Sequence, residues 1–119
     1  MDELILAYIA ANTSLVADTD LFIDESAADE NNYVLVKTMT SVSPYTGIKT
    51  FDTTIIICDV VYDTARSRAE TIETLFNNKR GILDSSWGTI GNVVNRYEGT
   101  DTAKRTVYSV SCKIGKQED

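Results

Sequence analysis

Residues 50–79 read TFDTTIIICDVVYDTARSRAETIETLFNNK, a long β-type run that passes without a break into an amphipathic helix. Most of residues 50–61 are β-branched, aromatic or aliphatic, and side-chain alternation puts apolar groups on both faces of the strand. Phe51, Ile55, Ile57 and Val61 fall on one side, and Ile56, Cys58 and Val60 on the other. A strand in an antiparallel sheet usually buries one face and wets the other, so a two-sided strand calls for two covers. One is the helix over residues 62–79, whose Ala65, Ala69, Ile72, Leu75 and Phe76 recur with a 3.6-residue period. Asp63 is placed to cap its N-terminus and Gly81 to end it. The other cover is the N-terminal helix or a neighbouring copy of the chain. Because Ile56, Cys58 and Val60 run towards the helix cap, they are expected to be the core set. That leaves Phe51 and Ile55, nearer the hairpin end, as expected subunit-contact residues.

Outward from this segment the order reads α-β-β-β-α-β-β. Residues 2–12 form a short helix with Leu4, Ile5, Tyr8 and Ile9 on one stripe, ended by Asn12 and Thr13. Strands follow at 19–25 and 32–41. The connection VSPYTGIK then carries the only proline, Pro44, and the turn glycine Gly47. After the central strand and helix come a strand at 87–97, weakened by two glycines, and one at 104–114. In the last, Thr106, Tyr108, Val110, Cys112 and Ile114 alternate against Arg105, Ser109, Ser111 and Lys113. The expected fold is α+β, a mostly antiparallel sheet with helices packed on one face, in a single domain over residues 1–119. A 12-residue strand is about 40 Å long, whereas a domain of this size is about 35 Å across. The 32–61 hairpin should therefore project, with Pro44, Tyr45 and Gly47 at an assembly tip.

Composition narrows the function classes. The chain has 119 residues, 43% hydrophobic and 24% charged, which is ordinary globular composition. Its net charge of −7 argues against gripping duplex DNA through a basic face. The stretch LILAYIAA is too short to span a membrane and follows Asp2 and Glu3 where a signal peptide would be basic. Folding in a cytoplasm is the simplest expectation. Histidine is absent, which removes the commonest general base and metal ligand and argues against an enzyme. Cys58 and Cys112 both sit in apolar strand patterns, as expected of buried, reduced thiols. A disulfide between them would require neighbouring strands.

No catalytic, cofactor or metal motif is evident. Gly88 and Gly91 lack a Walker lysine and read as strand irregularity. Asn78-Lys79-Arg80-Gly81 reads as a helix C-terminus, where cations suit the macrodipole. Asp59, Asp63 and Arg66 form at most an ordinary cap and surface pair. No EF-hand spacing supports calcium. Trp87 reads equally as a core anchor or a subunit-interface anchor.

The short N-terminal helix, the polar stretch before NYVLVKTMT, the strand TIIICDVVYD entering TARSRAETIETLF, and the closing YSVSCKIG preceded by Asp101 and Lys104-Arg105 together resemble a known family. It is the tail-terminator (minor capsid, tail-completion) family of long-tailed bacteriophages, and the resemblance covers nearly the whole chain. It implies a small α/β domain that forms a hexameric ring, stops tail-tube polymerisation and supplies the head–tail joining surface. The implied partners are copies of itself, the tail-tube protein and a head-completion or connector protein, in the virion after assembly in the host cytoplasm. DNA would pass through without specific binding. A domain this small can surround a duplex about 20 Å wide only as a ring, and heterologous contacts build rings. Six copies at −7 each carry −42, which on a lumen would let DNA slide. Asp24, Glu25, Asp29 and Glu30 are the candidate lumen surface, or else a solvated loop. The alternatives are a head-side connector component and a monomeric α/β ligand-binding or regulatory module.

Overall fold

A computed structural model describes residues 2–13, 15, 21–23, 32–42, 48–77, 87–101 and 104–117. The element order is α1 (Asp2–Asn12), β1 (Leu21–Ile23), β2 (Asn32–Val42), β3 (Ile48–Asp59), α2 (Tyr62–Phe76), β4 (Trp87–Thr100) and β5 (Thr106–Gln117). This is the α+β order expected from sequence. The strands form one sheet in the order β1-β2-β3-β5-β4. Only the β1–β2 pair is parallel; β2–β3, β3–β5 and β4–β5 are antiparallel.

The central ladder is regular because both its strands are. β3 and β5 pair residue for residue from Ile48↔Gln117 to Asp59↔Thr106. The alternation of β5 is realised: Thr106, Tyr108, Val110, Cys112 and Ile114 are all buried. Their register partners on β3 are Asp59, Ile57, Ile55, Thr53 and Phe51, and these are buried as well. β4 is less regular, with register shifts at Trp87/Thr89, Gly91/Val94 and Tyr97/Gly99. Glycine without a side chain to pack is the physical reason such breaks gather there.

Both helices lie on that same face. Ala65, Ala69, Ile72 and Phe76 of α2 are buried, as the 3.6 period predicted, and they join Ile5 and Ile9 of α1 in one core with Val34, Val36, Ile55 and Ile57. The alanines let the helix approach the sheet closely. The α1–α2 contact is pinned by the Tyr8 hydroxyl, which donates to the Leu75 carbonyl at 2.9 Å, and by an edge-on Tyr8–Phe76 ring pair at 5.3 Å. At the end of α1, side chains bond back to carbonyls one turn earlier: Asn12 Nδ2 donates to the Tyr8 carbonyl and Thr13 Oγ1 to that of Ile9.

The face assignment drawn from sequence is reversed. Phe51, at 8% exposure, and Ile55, at 0%, belong to the monomer's own core, so neither is available to a neighbouring subunit. Ile56, on the other side, is half-buried, and Val60, past the end of the strand, is exposed. Only Cys58 of that set is fully buried. The reason is the route of the chain after Asp59: the two-residue turn Val60–Val61 brings α2 back across the odd-numbered face. Asp63 is corrected too. The helix N-cap is Val61, without a side-chain cap, and the Val61 amide donates instead to the Asp59 carboxylate at 2.8 Å.

The molecule is elongated, 45 × 26 × 24 Å. β3 and β5, of 12 residues each, approach 40 Å; α2, of 15 residues, reaches only about 22 Å. The β2–β3 hairpin does not overshoot alone, because β5 flanks β3 to its end and β4 flanks β5. Gly81, the tip residues Pro44, Tyr45 and Gly47, and the acidic residues Asp24, Glu25, Asp29 and Glu30 lie outside the described residues.

Cys58 and Cys112 are free and buried. Their strands are neighbours, but Cys112 is opposite Thr53 on the helix-covered face and Cys58 is opposite Val107 on the other. Adjacent strands cannot bridge thiols that point to opposite faces. Burial pushes both thiols up, Cys112 to about 12, which keeps them protonated at neutral pH. Titration with a thiol reagent at pH 7 should therefore count two groups after unfolding without reductant and fewer than one in the native protein over minutes. A count of zero after unfolding would establish a bridge.

Candidate assembly surface

The β3–α2 turn carries the main concentration of exposed apolar groups among the described residues. Val60, Val61 and Tyr62 are 51%, 52% and 47% exposed, and Tyr97 on β4 is 51% exposed. Tyr62 and Tyr97 are held in place by a tyrosine cluster. Tyr97 pairs with Tyr108 across the β4–β5 ladder, which sets their rings 5.3 Å apart. Tyr62, in the first turn of α2, reaches both, with ring centroids 6.0 Å from Tyr97 and 6.1 Å from Tyr108. The Tyr108 hydroxyl donates to that of Tyr62 at 2.9 Å. That bond, reinforced by burial, pushes Tyr108 up to about 12, so it remains a phenol and a donor at physiological pH. The Arg66 guanidinium lies 5.9 Å from the centre of the Tyr62 ring, between Asp63 at 4.0 Å and Glu70 at 3.9 Å. These ion pairs are long and more than half exposed, so they orient Arg66 weakly. The arrangement is a pre-organised aromatic surface with a polar rim, of the kind that supplies binding energy at protein contacts.

On the other face, the β4–β5 turn folds over Cys58. Arg105 Nε donates to Asp101 Oδ2 at 2.8 Å and the Arg105 amide to Asp101 Oδ1 at 2.9 Å. The Asp101 amide answers by donating to the Arg105 carbonyl. Lys104 takes the left-handed conformation, φ 63°, that closes the turn. The Arg105 guanidinium lies 5.5 Å from the centre of the Tyr33 ring, and Cys58 Sγ is 4.0 Å from Asp101 Oδ2. The second cover demanded by the two-sided strand is therefore supplied, at this end, by the chain itself.

Asp59 is 3% exposed and pairs with Arg68 at 3.5 Å, not with Asp63 or Arg66. Beside this pair a concavity of about 200 Å³ opens between the end of α1 and α2, lined by Thr13, Leu15, Ser67, Arg68, Thr71 and Ile72. It is smaller than usual ligand pockets, and its one cation is already engaged. No group of three or more His, Cys, Asp or Glu suited to a metal occurs among the described residues. No described helix is long and apolar enough to cross a membrane.

Of the residues singled out from sequence, Phe51 and Ile55 fall in the core and Trp87 opens β4, its side chain outside what is described. Tyr62, Tyr97 and Tyr108 were not anticipated as a group, because three elements 35 and 11 residues apart bring them together. The one local signal was the apolar run Val60-Val61-Tyr62 continuing past the strand's end.

The fold is shared with a chain of known structure. It is a chain of the virion of a native gene transfer agent particle, matched over 98% of this chain and 87% of that one, with a TM-score of 0.53. Only 12% of residues are identical, so what is shared is the fold. No protein-family model matches the chain, and no curated protein does.

Proposed function

We propose that this protein is a structural component of a phage-like virion, acting as a tail terminator. In this reading it assembles as a hexameric ring on the tail tube, stops tube polymerisation and offers the head-joining surface. It works by surface complementarity, not by catalysis. The observation that supports it most is the fold match to a virion chain over nearly the full length of both molecules. Element order and residue character point the same way. The exposed tyrosine surface gives the chain a means of association, and net −7 per copy suits a channel through which DNA slides. Its partners are then further copies of itself, the tail-tube protein and a head-completion protein.

The test is the mass of the purified protein, alone and mixed with tail-tube protein, by light scattering. The expected result is a species of six times 13.1 kDa, formed alone or on the tube, together with tubes of fixed length. A monomer at every concentration, with tube growth unaffected, would overturn the proposal.

A further inference from the structure

Besides the turn cluster, the exposed large apolar side chains among the described residues are Met39 and the less exposed Val94, at 43%. Met39 is 76% exposed, the highest value among the exposed large hydrophobics of the described residues. It pairs with Asp52, which pairs with Lys113, so it lies on the face away from the helices. Tyr97 pairs with Tyr108, whose partner Ile57 belongs to the helix-covered face. The two rows are five residues apart on β3, about 17 Å along the strands, and the strands themselves are three spacings apart, about 14 Å. The two sites thus look out from opposite faces of the sheet, so a neighbour lying flat on one face does not cover the other.

We propose that Met39 of one copy packs on the Tyr62–Tyr97 surface of the next copy, in a head-to-tail contact. The inference rests on the ring reading and specifies where the ring closes. A thioether is soft and seats well at aromatic ring edges. Two different surfaces meeting between copies are what a heterologous interface requires. Charge agrees: Lys37 and Lys113, both exposed, outnumber Asp52 beside Met39, a local +1. Asp63 and Glu70 outnumber Arg66 beside Tyr62, a local −1. A chain of net −7 that approached itself at random would be repelled; this orientation sets opposite signs together.

Disulfide trapping tests it, because both native thiols are buried and contribute little background. Met39→Cys combined with Tyr97→Cys in one chain should give, on mild oxidation, a ladder of covalent oligomers on a non-reducing gel. Met39→Cys with Val60→Cys should do the same, which guards against loss of packing at Tyr97. Met39→Cys with Thr71→Cys, on the outer side of α2, should not ladder. Met39→Lys should raise the concentration needed for assembly at least tenfold. An assembly of ring mass with no ladder from either double variant, or with an equal ladder from the Thr71 control, overturns this contact and leaves the ring standing. A wild-type chain that stays monomeric alone and with tail-tube protein overturns both.

Discussion

Replacing Ile55 with aspartate should unfold the protein outright, not merely split an assembly. Ile55 has no exposed surface and lies between Val36 and Val110 in the ladder, under the helices. Losing its packing costs about 2–5 kcal/mol, and an unpaired carboxylate there adds several more. A domain of this size is stable by about 5–15 kcal/mol, so little or nothing remains. Circular dichroism should show a lost or strongly lowered cooperative transition. Ile56→Asp, one residue on and half-buried on the other face, should cost only about 1–2 kcal/mol. An Ile55→Asp variant with a wild-type unfolding midpoint would mean that the helices do not cover this face.

The second large effect is expected at Asp59→Ala. This carboxylate, nearly without exposed surface, accepts the Val61 amide at the point where the chain turns from β3 into α2. It also holds Arg68 at 3.5 Å. Hydrogen bonds to a charged acceptor contribute about 1.5–3 kcal/mol. The Arg68 side chain is 25% exposed, so water can take over part of its solvation, and the loss should fall short of the 3–5 kcal/mol of a fully buried pair. A destabilisation of about 2–3 kcal/mol is expected from the denaturant midpoint, with the slope unchanged. Asp59→Asn keeps an acceptor for Val61 and should lose about half as much. Equal losses for the two would show that charge, not the turn amide, sets the effect.

Much of the fold is legible in the chain because its elements are locally consistent. β5 alternates from Thr106 to Ile114 with Val107 as the one apolar residue on the outer face, and α2 keeps its stripe from Ala65 to Phe76, so period identifies them. Period fails at β3. Ile55 and Ile56 are equally apolar, and which one meets the helices depends on how Val60 and Val61 turn the chain. Cys58 is buried on the far face because Asp101 and Arg105, more than forty residues later, fold over it. The cap lies at Val61 and not at Asp63 for a related reason. Asp63 has the right type and spacing, but the shorter path from Asp59 to the Val61 amide satisfies the turn first. The tyrosine surface depends on strand order, which periodicity does not encode.

That strand order also governs the sequence of events by which the chain becomes folded. β2–β3 and β4–β5 are each hairpin-like pairs that can zip up from nearby contacts, yet the sheet joins them through β3 and β5, whose partners are 47 positions apart at Asp59↔Thr106 and 69 at Ile48↔Gln117. Closing that span is entropically slow compared with either hairpin. During synthesis β3 emerges well before β5, and until β5 arrives its inner edge presents a row of unpaired backbone groups next to Ile55, Ile56 and Ile57. An unpaired, apolar edge is a template for pairing with another chain. The interval between the two strands is thus the period in which this protein is most exposed to aggregation, and docking of β5 between β3 and β4 ends it.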